Sequence, residues 1–331
     1  MGGLVKGFLE PIAKRWSAAM GGPLLLFWLA GALVVMWRRG SATHPCHTPE
    51  FPAGIPCTIA AQRPLGPILL TAAATAVVVM SAWALSASAS IALEVLAGRW
   101  GTSAIALAYT RRRVARHLAR RKTLSAWRRV EPPAGLSGLD LAAWQSQNGW
   151  RATQKRVAYA RYPRLSDPQY LLPTAVGNAL VSVSAEARRT YGLDLAVCWD
   201  PFVRALEAPV RDELTAAATR VFARVQGLVC AAAAAFWAIV IPGVLPRLLW
   251  VVICALLVWG AHRSLRAGVD AYCRHVTDLF AIHRVRLYRA LGVAPPSTAQ
   301  DEAICGKTLS AVLSRTLPTG SAPVPYEWPT L

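Results

Sequence analysis

Acidic side chains are scarce in this chain: 17 Asp plus Glu stand against 36 Lys plus Arg in 331 residues, a formal charge of +19. Charge is scarcer still inside the apolar runs. No ionisable side chain lies between Arg63 and Glu94, and no charged residue sits in the middle of any apolar block. An ion- or proton-coupled transporter normally needs such a residue, which argues against that class. Catalytic signatures are missing as well. There is no Gly-rich phosphate loop, no His-Glu-x-x-His, no Gly-x-Ser-x-Gly and no Cys-x-x-Cys. No cofactor and no metal centre are therefore expected.

What is abundant is apolar surface, at 54% of residues. Apolar content and positive charge conflict in a soluble domain, because one seeks burial and the other water. Here they are segregated into blocks, which marks an integral membrane protein. Arg outnumbers Lys, and Ala, Gly and Pro are common, as in proteins of GC-rich bacterial genomes. The organising stretch runs from Gly66 to Arg129. A long uncharged span passes directly into a segment with ten Lys or Arg and no Asp or Glu between Arg99 and Arg129. An apolar crossing followed by a cationic block carries its own cytoplasmic label. Arg111, Arg112, Arg113, Arg116, Arg120, Arg121 and Lys122 are read as facing anionic lipid headgroups, with nucleic acid as the disfavoured partner.

The expected fold class is an all-α integral membrane protein with about four transmembrane helices and a cytoplasmic helical domain between spans 2 and 3. Residues 1–22 form a cytoplasmic leader or an interfacial amphipathic helix. The spans are 23–39, 66–97, 225–242 and 246–262, the last two joined by Pro242–Pro246 as a spanning or a re-entrant hairpin. Residues 40–65 form an extracytoplasmic loop, where Cys46 and Cys57 suit a disulfide better than a metal site with His44 and His47. Residues 98–131 form a basic juxtamembrane helix and 132–224 the cytoplasmic domain. Residues 263–315 are C-terminal cytoplasmic helices, and 316–331 is a Pro-rich tail expected to be disordered. Both termini are then cytoplasmic, in the inner (cell) membrane.

Small residues recur at four-residue spacing in Ala82, Ser86, Ser90, in Ala84, Ser88, Ala92, and in Gly227, Ala231, Ala235. Such rows let helices approach closely and suit a protein partner or a homo-oligomer. Two polar groupings are candidate sites. Asp270, His275, Asp278 and His283 lie along one predicted helix, where a solvated face explains them as simply as chemistry does. Thr174, Gly177 and Asn178 read as a capped helix start whose free amides suit an anion, or as a packed helix start.

Tyr162-Pro163, Leu171 to Leu180, Tyr191-Gly192-Leu193-Asp194, Trp199, and the C-terminal His283-Arg284 with Leu287 to Gly292 carry a likeness. Over about Tyr162 to Glu302 the chain resembles a family of uncharacterised multi-span membrane proteins of GC-rich Gram-positive bacteria. Where relatives often read Trp-Pro, this chain has Trp199-Asp200-Pro201. The resemblance implies a cytoplasmic helical insert and assigns no reaction. The leading expectation is a non-enzymatic scaffold or interaction protein. A membrane enzyme or oligomeric channel with a cytoplasmic site, and a membrane-tethered nucleic-acid binder, are the alternatives.

Overall fold

A computed structural model describes residues 21–40, 65–128, 133–161 and 168–316. The Cys46–Cys57 loop, the N-terminal leader and the C-terminal tail lie outside the described residues. Within these bounds every regular element is helical: α1 (Gly21–Gly40), α2 (Leu65–Leu96), α3 (Ala104–Arg128), α4 (Gly138–Gln147), α5 (Gly149–Arg161), α6 (Ala175–Tyr191), α7 (Leu195–Ala205), α8 (Ala208–Ala233), α9 (Val244–Ala290) and α10 (Ala299–Leu313). Short 3₁₀ turns cover Pro168–Tyr170 and Ala234–Ile239. Three helices are long and apolar enough to cross a membrane: Thr71–Leu96 in α2, Ala208–Ile239, which is α8 with its 3₁₀ extension, and α9. The described residues form two compact units, one within 21–93 and 215–268, the other within 94–214 and 269–316.

The first unit is built around aromatic rings and small residues. α1 packs on the Ala234–Ile239 turn, and Gly31 makes this approach possible. A Cβ there would lie 2.2 Å from the Trp237 ring, inside van der Waals contact. Phe27, Trp28 and Trp237 cluster with ring centroids 5.3 to 6.1 Å apart. Trp28 Nε1 donates to Ser81 Oγ at 3.0 Å, so the half-buried indole is satisfied on α2. Leu24, Leu85 and Cys230 form the core, lined by Val78 and Ala82. Trp250 Nε1 donates to the Ala234 carbonyl at 2.9 Å, where α8 tightens into the 3₁₀ turn.

Within the chain the small-residue rows are partly covered. On α2 the buried positions are Leu85, Ala89 and Leu93; of the rows, Ala82, Ser88 and Ala92 are half-buried and Ala84 and Ser90 exposed. On the third apolar block the buried row is Cys230, Ala234 and Ala238. It is the neighbour, one residue removed, of Gly227, Ala231 and Ala235. Four-residue spacing defines a stripe, but several parallel stripes exist on an alanine-rich helix, and the bulky Phe27, Trp28 and Trp237 select among them.

The second unit holds a tight helical bundle. α6 packs on α10 and α7, and α10 also meets α7. Phe202 and Phe280 lie 4.9 Å apart, with Tyr191 and Trp199 at the edge of the pair. Ion pairs fasten its rim: Arg284 to Glu302 at 2.6 Å, Arg286 to Glu207 at 2.7 Å and Arg188 to Asp194 at 3.5 Å. Arg284 also stacks over Tyr191 at 4.5 Å.

Local chemistry explains most of the boundaries. Thr174 Oγ1 accepts from Gly177 N–H at 3.0 Å and starts α6, and Gly192 ends it in the left-handed region at φ 71°. Asp194 caps α7 through Ala196 N–H at 2.9 Å. The sequence suggests a restart at Asp200-Pro201, but this cap starts the helix at Leu195 and leaves Pro201 inside it. Asn148 pairs with the Trp144 carbonyl through both its side chain and its backbone, dividing α4 from α5. The largest difference concerns the fourth apolar block. It reads as a span followed by a separate helix from His262, yet α9 is one helix of 47 residues, about 70 Å long. Nothing at Gly260–His262 supplies a cap or a proline, so the helix does not stop.

Candidate functional site

The face from Asp270 to His283 lies on a single helix, so its members are spread along the axis by about 1.5 Å per residue. His275 Nε2 sits 3.6 Å from Glu213 Oε1 of α8. Asp278 is exposed, and Asp270 and His283 are half-buried. Among the described residues no three His, Cys, Asp or Glu side chains come together as a cation site. The face is arranged as a polar flank that pairs one histidine with the neighbouring helix.

At the start of α6 the polar groups are committed within the chain. The Asn178 side chain is buried; its Nδ2 donates to the Leu172 carbonyl at 2.9 Å and its Oδ1 accepts from Leu172 N–H at 2.8 Å. Gly177 lies against the end of α2, where an added Cβ would fall 2.1 Å from the Ala97 carbonyl oxygen. Thr174 is occupied by its cap. His117 Nε2 of α3 lies 3.3 Å from the Pro173 carbonyl. The geometry is that of a helix start packed against Ala97 and His117.

Cys198 is fully buried, with its Sγ 3.8 Å from Ser310 Oγ. Burial pushes the thiol up to about 11, opposed by the Ser310 hydrogen bond. A thiol in that range holds almost no thiolate at neutral pH, so Cys198 serves packing rather than nucleophilic chemistry.

The remaining candidate is the basic segment, and here the structure gathers what the sequence spreads out. α2 ends at Leu96 and the chain turns through Gly98 and Gly101, at φ 91° and 79°. Both angles favour glycine. Arg99 pairs with Glu94 at 3.3 Å. Trp100 Nε1 donates to the Val95 carbonyl at 2.8 Å, its ring lies 5.0 Å from Tyr109, and Arg113 sits 5.8 Å from the Tyr109 centroid. A chain of contacts thus links the last turn of α2 to the cationic part of α3.

Along α3 the two faces divide cleanly. Arg111, Arg112, Arg116, Arg120 and Lys122 are exposed. Val114, His117, Leu118 and Arg121 are half-buried and Leu124 is buried. α3 packs on α5, which carries Arg151, Lys155 and Arg156 and closes on a fully buried Ala158. Reading along the chain misses this partnership, because 20 residues separate the two helices. The signal present was compositional: from Arg99 to Arg164 there are 15 Lys or Arg and only two acidic residues, Glu131 and Asp140.

No protein-family model, curated protein or solved structure matches the chain.

Proposed function

We propose that this is a multi-pass inner-membrane protein that presents a helical cytoplasmic bundle as a docking scaffold and carries out no chemistry of its own. Four spans, with both termini and residues 98–224 on the cytoplasmic side, are part of this reading. The three membrane-length apolar helices support it, with α1 as the shorter fourth crossing. So does the placement of Arg111 to Lys122 directly after α2. The observation that carries the scaffold reading is the internal commitment of the polar groups at the start of α6, at Cys198 and at the Arg284–Glu302 rim. Asn178, Thr174, Arg284, Glu302 and Cys198 are all engaged internally. The resemblance over Tyr162 to Glu302, to membrane proteins with a cytoplasmic insert, points the same way.

Affinity capture of the full chain from native membranes in mild detergent tests the reading. A partner should be recovered reproducibly and lost when exposed bundle positions are changed without loss of folding. Recovery of the chain alone overturns it. An enzyme or channel working through the Asp270–His283 face requires that His275→Ala with His283→Ala abolish the phenotype of a deletion. Under the scaffold reading that double variant keeps its function.

A further inference from the structure

Ile105, Tyr109, Arg112, Arg116 and Arg120 follow one another at spacings of four, three, four and four. At 3.6 residues per turn they fall within an arc of about 80°. All five are exposed, Ile105 at 85% and Tyr109 at 50%. The opposite side of the helix carries Val114 and Leu118, which are half-buried, and Leu124, on the flank between, is buried. The exposed stripe is therefore graded. It is apolar nearest α2, aromatic one turn later, and cationic for the next three positions.

A stripe of this order matches the layering of a membrane surface. Hydrocarbon gives way to the interfacial zone favoured by Trp and Tyr, and then to phosphates. Trp100, tied to Val95 in the last turn of α2, places an indole at the same point of the chain. α5 repeats the chemistry. Trp150 is 57% exposed with Arg151 stacked 5.3 Å from its ring; Arg151 and Lys155 are half-buried and Arg156 is exposed. Leu139 of α4 is 87% exposed close by in sequence. Polyanionic nucleic acid has no use for an isoleucine and a leucine left this bare, whereas an interface accommodates both. Guanidinium groups form two-pronged hydrogen bonds to phosphodiester oxygens.

We infer that α3 and α5 together form a platform for anionic phospholipid headgroups, in which α5 is a full contributor. The inference rests on the membrane reading of α2 and is independent of any protein partner. The occupant is the headgroup layer of the bilayer that α2 enters.

The test uses the full chain in a neutral maltoside detergent, offered equal amounts of phosphatidylglycerol and phosphatidylcholine and read by native mass spectrometry. The wild type should retain phosphatidylglycerol at least fivefold over phosphatidylcholine, and 0.5 M salt should erase most of that preference. Arg112→Gln/Arg116→Gln/Arg120→Gln should cut the preference at least threefold, and so should Arg151→Gln/Lys155→Gln/Arg156→Gln. The corresponding Arg→Lys set on α3, which keeps the charge and loses the two-pronged bonds, should fall between the wild type and the glutamine set. Equal retention of the two lipids by the wild type overturns the inference even where a variant fails to fold. Loss on the α3 variant with none on the α5 variant overturns the two-helix platform. Duplex DNA that displaces the lipid and binds more tightly through the same residues overturns it in favour of nucleic acid. Partner capture that persists with both glutamine sets would leave the scaffold reading intact whichever way the lipid result falls.

Discussion

The α3–α5 pair and the α6–α7–α10 bundle are neighbours in the chain and opposites in construction. The bundle buries aromatic rings, closes its rim with ion pairs and accommodates glycines where nothing larger fits. The pair buries little beyond Leu124 and Ala158 and leaves most of its cations in the open. From Arg99 to Arg164 the charge is +13, from 15 basic and two acidic residues. Over residues 168–316 it is +5, from 15 basic and ten acidic ones. Equal numbers of basic residues thus do different work. In the bundle Arg188, Arg189, Arg284 and Arg286 meet carboxylates of the same chain; on the pair carboxylates are sparse, and Arg111, Arg112, Arg116, Arg120 and Lys122 stand exposed. Self-repulsion among the latter is a stability cost.

Substitutions should separate the two regions sharply. The largest effect is expected at Gly177, where any side chain meets the Ala97 backbone. Gly177→Val should prevent accumulation of folded protein, or cost at least about 4 kcal/mol, as followed by thermal unfolding in detergent. Phe202→Ala, which removes a ring buried against Phe280, should cost about 3–5 kcal/mol. A folded variant with an unchanged melting temperature would mean that the bundle is not the stable part.

The buried thiol gives a smaller, pH-dependent effect. The folded pKa of Cys198 lies near 11, above its ordinary value of 9.0. Its contribution to stability is thus complete below pH 9 and declines as pH rises towards 11. Cys198→Ala should flatten that alkaline decline in a series of unfolding curves, whatever it does to stability at neutral pH.

The smallest effects belong to the pair. Gly149→Ala meets open space, and at the first position of α5 it should stabilise by no more than about 1 kcal/mol. Neutralising Arg112, Arg116 and Arg120 should move stability by less than about 0.5 kcal/mol per residue, while changing lipid retention several-fold. A large stability loss there would erase the contrast between the two regions.

Much of this architecture is visible in the residues themselves. Thr174 announces a cap, Gly192 and Gly292 announce helix ends, and the apolar block of α2 announces its length. What stays hidden is set by contacts distant in sequence. The continuity of α9 depends on the absence of any stop signal between an apolar and a polar half, and composition draws the eye to a boundary there. The choice among parallel small-residue stripes is made by the aromatic rings of α1 and the Ala234–Ile239 turn. Asn178 looks free because its partner, Leu172, sits in an irregular segment. The alliance of α3 with α5 leaves only the shared basic composition of the two segments as its trace.

The paired bonds between Asn178 and Leu172 also reach beyond the start of α6. A side-chain amide presents one donor and one acceptor in the same relative positions as a backbone unit. By bonding both polar groups of Leu172, it gives that residue the complement of a ladder without any strand beside it. Leu172 N–H is thus withdrawn from solvent although it lies outside every helix. In a hydrogen–deuterium exchange experiment it should be protected like the interior amides of α6, and Asn178→Ala should release it to the rate of an open loop.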